Sequence, residues 1–159
     1  MADFKTNTFI KDDDYMTPIS AWEDIKHIIP TDKVIWEAFY GDGKSGTNLE
    51  KLGFNVIHRE IDFFKNNLGE IIVSNPPFSL VKDIMPKLLE IDKPFILLMP
   101  VSKIATQYFK IFKNKIQIII PSKRINFIKN TLTKKSSCNF DCFYYCYKIG
   151  LENDITWLE

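Results

Sequence analysis

Short apolar runs closed by turn signals alternate along this chain with stretches whose apolar residues recur at helical spacing. Ile19, Trp22, Ile25 and Ile29 share one face of PISAWEDIKHII, which predicts an amphipathic helix over Pro18–Ile29. Thr17 suits the cap and Pro18 the first helical position. Lys33–Phe39 reads as a strand entering a glycine loop, and Thr47–Leu52 as a helix stopped at Gly53. Further strands follow at Phe54–His58, Glu70–Ser74, Lys93–Met99, Ile116–Ile120 and Phe140–Lys148. Leu80–Leu89 and Gln107–Phe112 have helical patterning between them.

Strands that are continuous Ile/Val/Leu runs, alternating with helices, predict an α/β fold whose mostly parallel sheet is covered on both faces. With 159 residues and no repeat or linker, residues 1–159 are expected to form one domain. Ligands of such sheets bind beyond the carboxyl ends of the strands, which directs attention to the loops after Phe39, His58 and Ser74.

Composition changes this picture little. Apolar residues make up 45% and charged residues 26%, ordinary for a globular protein. No apolar run is long enough to span a membrane. MADFKTNTFIKDDD lacks the pattern of a secretion signal, so an intracellular location is expected: cytoplasm, or a nucleus or viral factory. Cys138, Cys142 and Cys146 are spaced by four, but lie in an aromatic-rich stretch that reads as a strand. Buried thiols are the simpler reading there, and two histidines offer little for zinc, so no metal is predicted.

Charge is informative only when mapped. Residues 1–80 hold 13 acidic and 8 basic side chains; residues 81–159 hold 7 and 13. Between Asp92 and Asp141 there are ten lysines and arginines and no acid. The asymmetry suits a phosphate backbone, although a solvated Lys-rich surface explains it equally well.

The most informative stretch is IIVSNPPF. Two prolines after a buried strand end its ladder and fix two successive φ angles, and each holds the preceding residue extended. In so rigid a loop the Asn75 side-chain oxygen and the Pro76 carbonyl can face one spot. Two fixed acceptors on a planar amino group favour a more tetrahedral nitrogen, whose lone pair can attack an electrophilic methyl. Phe78 offers a face for a planar base.

WEAFYGDGKSG is the second such stretch. Gly41 and Gly43 permit close backbone approach to a ligand, and Glu37 can pair with a cationic amino group. Gly43-Lys44-Ser45 looks like the end of a phosphate loop, but that pattern needs glycine where the chain has Ala38.

On these residues the chain resembles the class I S-adenosylmethionine-dependent amino-methyltransferases, and among them the DNA adenine-N6 enzymes of the gamma motif order. Asn75-Pro76-Pro77-Phe78 matches that family's [Asp/Asn/Ser]-Pro-Pro-aromatic loop, and Glu37-Ala38-Phe39-Tyr40-Gly41-Asp42-Gly43 its acidic residue and Gly-x-Gly. The resemblance implies a three-layer, Rossmann-like sandwich with a seven-stranded, mostly parallel sheet. It also implies S-adenosylmethionine as cofactor, with the loop from Glu37 through Phe39 to Gly41 and Gly43 cradling its methionine half.

By the same resemblance Asn75 and Pro76 hold the target amino group, Pro77 stiffens the loop and Phe78 stacks on a flipped base. Glu60 falls where the family binds the ribose hydroxyls, and Asp62-Phe63 where it contacts adenine. A surface turn with Phe63 or Phe64 in the core is the alternative. Tyr15, Thr17 and Pro18 match an aromatic-x-Thr-Pro segment placed near the cofactor carboxylate.

The resemblance covers residues 12–150, without the target-recognition domain that usually follows. Specificity would then come from loops, from a homo-oligomer or partner subunit, or from the basic stretch carrying Lys123, Arg124, Lys129, Lys134 and Lys135, where phosphate contacts are expected. The predicted reaction is methyl transfer to adenine N6 in nucleic acid, with DNA as the first expectation. RNA adenine N6, guanine N2 or a protein glutamine amide would suit the same loop. A methyltransferase-like, non-catalytic nucleic-acid-binding subunit is the rival from another class.

Overall fold

The computed structural model describes residues 15–129 and 141–159. Its centre is a seven-stranded sheet of β2 (Ile35–Trp36), β3 (Val56–Ile57), β4 (Ile71–Ser74), β5 (Phe95–Pro100), β6 (Ile116–Ile120), β8 (Cys142–Tyr147) and β9 (Ile155–Trp157). The spatial order is β3-β2-β4-β5-β8-β6-β9. Only β8 runs against the rest, pairing antiparallel with both β5 and β6, so the sheet is mostly parallel as expected.

Side chains alternate across the sheet and make two cores. On one face Ile35, Ile71, Val73, Ile96, Leu98 and Tyr144 pack beneath Trp22 of α1 (Ile19–Glu23) and Leu49 of α2 (Lys44–Lys51). On the other, Trp36, Ile72, Phe95, Leu97 and Tyr145 pack beneath Val81, Ile84, Met85 and Leu88 of α3 (Val81–Ile91). The three layers follow from this alternation. Cys142 and Cys146 are thiols buried in the first core, and burial pushes Cys146 up to about 12. Cys138 lies outside the described residues.

Several elements differ from the expectation. The first helix keeps its buried face of Trp22, Ile25 and Ile29, but regular α-structure ends at Glu23. Beyond it Ile25 N–H turns to the Trp22 carbonyl at 3.3 Å and Lys26 N–H to Glu23 at 3.1 Å. The Ala21 carbonyl instead accepts the Tyr144 hydroxyl at 2.6 Å. Nor is Thr17 a cap: Pro18 occupies the cap position, with no side-chain bond to the helix.

The strand expected to reach Phe39 stops at Trp36, because the Glu37 carboxylate takes the Phe39 N–H at 3.0 Å and bends the chain out of the ladder. In place of a helix at Gln107–Phe112 there are 3₁₀ turns at Val101–Ala105 and Lys110–Phe112, which bury Phe109 and Phe112 and leave the rest largely outside. The seventh strand is β9, parallel to β6 at the sheet edge. A separate two-stranded ribbon pairs β1 (Tyr15–Met16) with β7 (Ile128–Lys129).

Candidate functional site

The chain leaves β2 through α2 on one face to reach β3, and leaves β4 through α3 on the other face to reach β5. The crevice of a doubly wound sheet opens at such a reversal, outside the carboxyl ends of the two strands. Here those ends carry Glu37 and Asn75, which directly follow β2 and β4.

Glu37 is 1% exposed. Its Oε1 accepts the Ser74 hydroxyl and the Phe39 N–H, and the Ser45 hydroxyl on the first turn of α2 also favours the charged form. Oε2 is buried without a partner. Burial pushes the acid up to about 7, opposed by the bonds from Ser74, Phe39 and Ser45 in that order. A buried carboxyl oxygen with unused acceptor capacity is a place for a cationic N–H donor.

The adjoining loop is shaped by its glycines. Gly41 and Gly43 have φ of +61° and +82°, the left-handed region that side chains resist. A Cβ on Gly43 would stand 2.7 Å from Tyr40 Oη, so the backbone and that ring are in close contact. Met16 reaches this loop, its Sδ 3.5 Å from where a Gly41 Cβ would be. The β1–β7 ribbon therefore lies beside the glycine loop, with Thr17 buried and Pro18 half-buried. Of Tyr15 only the backbone pairing with Lys129 is described.

Across the crevice, Asn75 Oδ1 is also buried without a partner. Pro76 is buried, and Pro77 leads into a 3₁₀ turn at Phe78–Leu80. Asn75 and Pro76 thus directly follow β4, beside the Glu37 end of β2. Phe78 differs: only 7% of it is exposed, and it belongs to the core beneath α3.

Glu60 is exposed beyond the end of β3. Asp62 accepts the Phe64 N–H at 2.8 Å and caps a 3₁₀ turn over Phe63–Lys65. Phe63 is wholly buried against Trp36 and Phe39, with ring centroids 5.6 and 4.8 Å apart. The core alternative for Phe63 therefore describes its packing. Phe39 itself is 6% exposed.

Four residues near the site went unmarked in the sequence reading. Ser74 holds Glu37, Ser45 favours its charged form, and Trp22 Nε1 donates to Ser45 Oγ at 2.9 Å. His58, at the end of β3, stacks on Tyr40 with centroids 6.2 Å apart and shares a 2.8 Å bond with Glu50. Ser45 did have a signal, the false phosphate-loop motif, whose hydroxyl here accepts from Trp22.

In the basic stretch, Ile125 and Phe127 are buried and anchor the segment, leaving Lys123 and Arg124 exposed. Arg124 is 3.5 Å from Asp141. Lys129 is placed by its backbone in β7, while Lys134 and Lys135 lie outside the described residues. Among the described residues no group of three metal-ligating side chains occurs, and no helix is long and apolar enough to cross a membrane.

No family model matches the chain, and a search of curated proteins returns no match. The fold is nevertheless similar to that of a protein from Listeria monocytogenes, provisionally described as a class I S-adenosylmethionine-dependent methyltransferase. The two superpose with a TM-score of 0.50 at 12% identity, over 96% of this chain and 68% of the other. At that identity the likeness is one of fold, and it agrees with the α/β sandwich built above.

Proposed function

We propose that this protein is an S-adenosylmethionine-dependent methyltransferase acting on adenine N6 in nucleic acid, with DNA as the polymer. The observation that carries the reading is a pair of buried, unpartnered acceptors, Glu37 Oε2 and Asn75 Oδ1, at the ends of neighbouring strands where the sheet reverses. One suits a cationic amino group and the other a neutral exocyclic amine. The fold, shared with the Listeria protein, adds a scaffold on which such a cofactor is bound.

When bound, S-adenosylmethionine supplies an electrophilic methyl group on a sulfonium. Glu37 receives the cofactor's ammonium, and the backbone at Gly41 and Gly43 leaves room for its methionine half. Asn75 Oδ1 and the Pro76 carbonyl accept the two N6 hydrogens of adenine. They hold the nitrogen with its lone pair toward the methyl and stabilise the positive charge that develops there. Asn75 and Pro76 would keep N6 so oriented during transfer of that methyl, and the proton that N6 must lose would pass to solvent.

In a duplex the base must leave the stack, at a cost of a few kcal/mol. For Phe78 to stack on it, the ring must turn out of the core in which it now lies. Exposed Lys123 and Arg124 are suited to the phosphate backbone. Recognition of a particular sequence is left to loops, a second copy or a partner subunit.

The test is transfer of labelled methyl from S-adenosylmethionine to single-stranded DNA, duplex DNA and RNA. Label in DNA that disappears with Asn75→Ala supports the proposal. Label in RNA alone changes the polymer, and label in no nucleic acid overturns the assignment.

A further inference from the structure

Ser74 has no role in the reading above, yet it stands between the two halves of the site. It is the last residue of β4, wholly buried, and is followed directly by Asn75. Its hydroxyl donates across to Glu37 Oε1 on the neighbouring strand. The Ser45 hydroxyl, which accepts the Trp22 Nε1 hydrogen, also favours the ionised carboxylate. A buried polar path therefore runs from the end of β4 to the end of β2, between two cores that are largely apolar.

Such a path is poorly explained by stability. A buried carboxylate with one unused oxygen is costly, and an apolar side chain in its place would remove the cost. What Ser74 achieves is orientation: Oε1 is occupied by Ser74 and Phe39, so Oε2 is the atom left for a ligand.

Resting on the proposed methyl transfer, we propose that Ser74 is a positioning residue that keeps Glu37 Oε1 engaged, leaves Oε2 for the cofactor's ammonium group and ties the carboxylate to the strand end bearing Asn75. The electrostatics agree with the geometry. Ser74 is the strongest of the influences that oppose the upward pull of burial on Glu37. The other groups acting on the carboxylate, the Phe39 N–H and the Ser45 hydroxyl, are uncharged, and among the described residues no charged side chain contributes. Removal of the Ser74 hydroxyl therefore leaves Glu37 protonated to higher pH, where it cannot pair with a cation.

The experiment is calorimetric titration of the full chain with S-adenosylmethionine between pH 6 and pH 9. Ser74→Ala should weaken binding about tenfold at neutral pH, the size of effect expected for a hydrogen bond to a charged group. The pH at which half the affinity is lost should also rise. Ser74→Thr, which keeps the hydroxyl, should restore the wild-type profile, and Ser45→Ala should shift it in the same direction by less. In a Glu37→Gln background Ser74→Ala should cost nothing further.

An unchanged profile in Ser74→Ala, or an equal loss in the Glu37→Gln background, overturns the inference while leaving the methyltransferase reading intact. If Ser74→Ala does not fold, Ser74→Cys, which keeps the volume and weakens the donor, decides the matter by the same profile. Absence of binding by the wild-type protein at every pH overturns both.

Discussion

Glu37→Gln should gain stability relative to the wild-type protein as pH rises, while weakening its affinity for cofactor. Glu37 is 1% exposed and titrates near 7 in the folded chain, against an ordinary value of 4.5. The folded state therefore binds the proton more tightly than the unfolded state does. Stability from this group is greatest below pH 4.5, falls as pH rises through the window from 4.5 to 7, and is lowest above it. At about 1.4 kcal/mol per pH unit, the penalty above pH 7 is about 3 kcal/mol.

Glutamine removes the titration but places an amide N–H₂ where Oε2 has no partner, which costs roughly 1–3 kcal/mol at every pH. The clean quantity is therefore the change with pH. Between pH 5 and pH 8 the stability of Glu37→Gln relative to wild type should improve by about 2–3 kcal/mol. Urea unfolding at the two pH values measures it directly. In thermal melts the same change is roughly 5–10 °C for a chain of this size. A difference between variant and wild type that stays constant across this range would refute the reasoning, since it would mean that Glu37 titrates alike in both states.

Other perturbations test other parts of the account. Asn75→Ala should abolish methyl transfer while leaving cofactor affinity within about twofold, because the loop it removes an acceptor from is held by Pro76 and Pro77; calorimetry and a transfer assay on one preparation separate the two. Gly46→Ala would bring a Cβ to 2.3 Å from His58 Cγ, so the ring must leave its stack on Tyr40; a loss of about 1–3 kcal/mol should appear in urea unfolding. Tyr144→Phe deprives the Ala21 carbonyl of its donor and should cost about 1–3 kcal/mol, with the circular-dichroism spectrum unchanged. Lys123→Ala with Arg124→Ala should weaken DNA binding for all sequences alike and reduce the salt dependence of log K by about 2.

How much of this was legible in the chain depended on whether the signal was local. Ile116–Ile120 is both the expected and the observed strand, because an apolar run between turn signals has few other uses in a buried sheet. The Asn75-Pro76-Pro77 loop was equally clear, since proline chemistry acts on adjacent residues. Gln107–Phe112 misled because the spacing of Phe109 and Phe112 serves a 3₁₀ turn as well as an α-helix. Strand β9 was missed because ITW is short and has two of its three residues exposed.

Contacts distant in sequence were not legible at all. Ser74 meets Glu37 across 37 positions, and nothing about either residue alone names the other. The phenylalanines were ambiguous for a different reason. An aromatic ring beside a ligand loop reads equally as a stacking surface or as core, and Phe63 and Phe78 both turned inward, where burial of a large apolar surface is the stronger effect.

The central claim is tested most directly by digesting DNA that has been incubated with the protein and S-adenosylmethionine, and identifying its nucleosides by mass spectrometry. The account predicts N6-methyladenine with the wild-type chain and none with Asn75→Ala. A product methylated at a ring nitrogen or carbon, or N6-methyladenine that persists in Asn75→Ala, would contradict it.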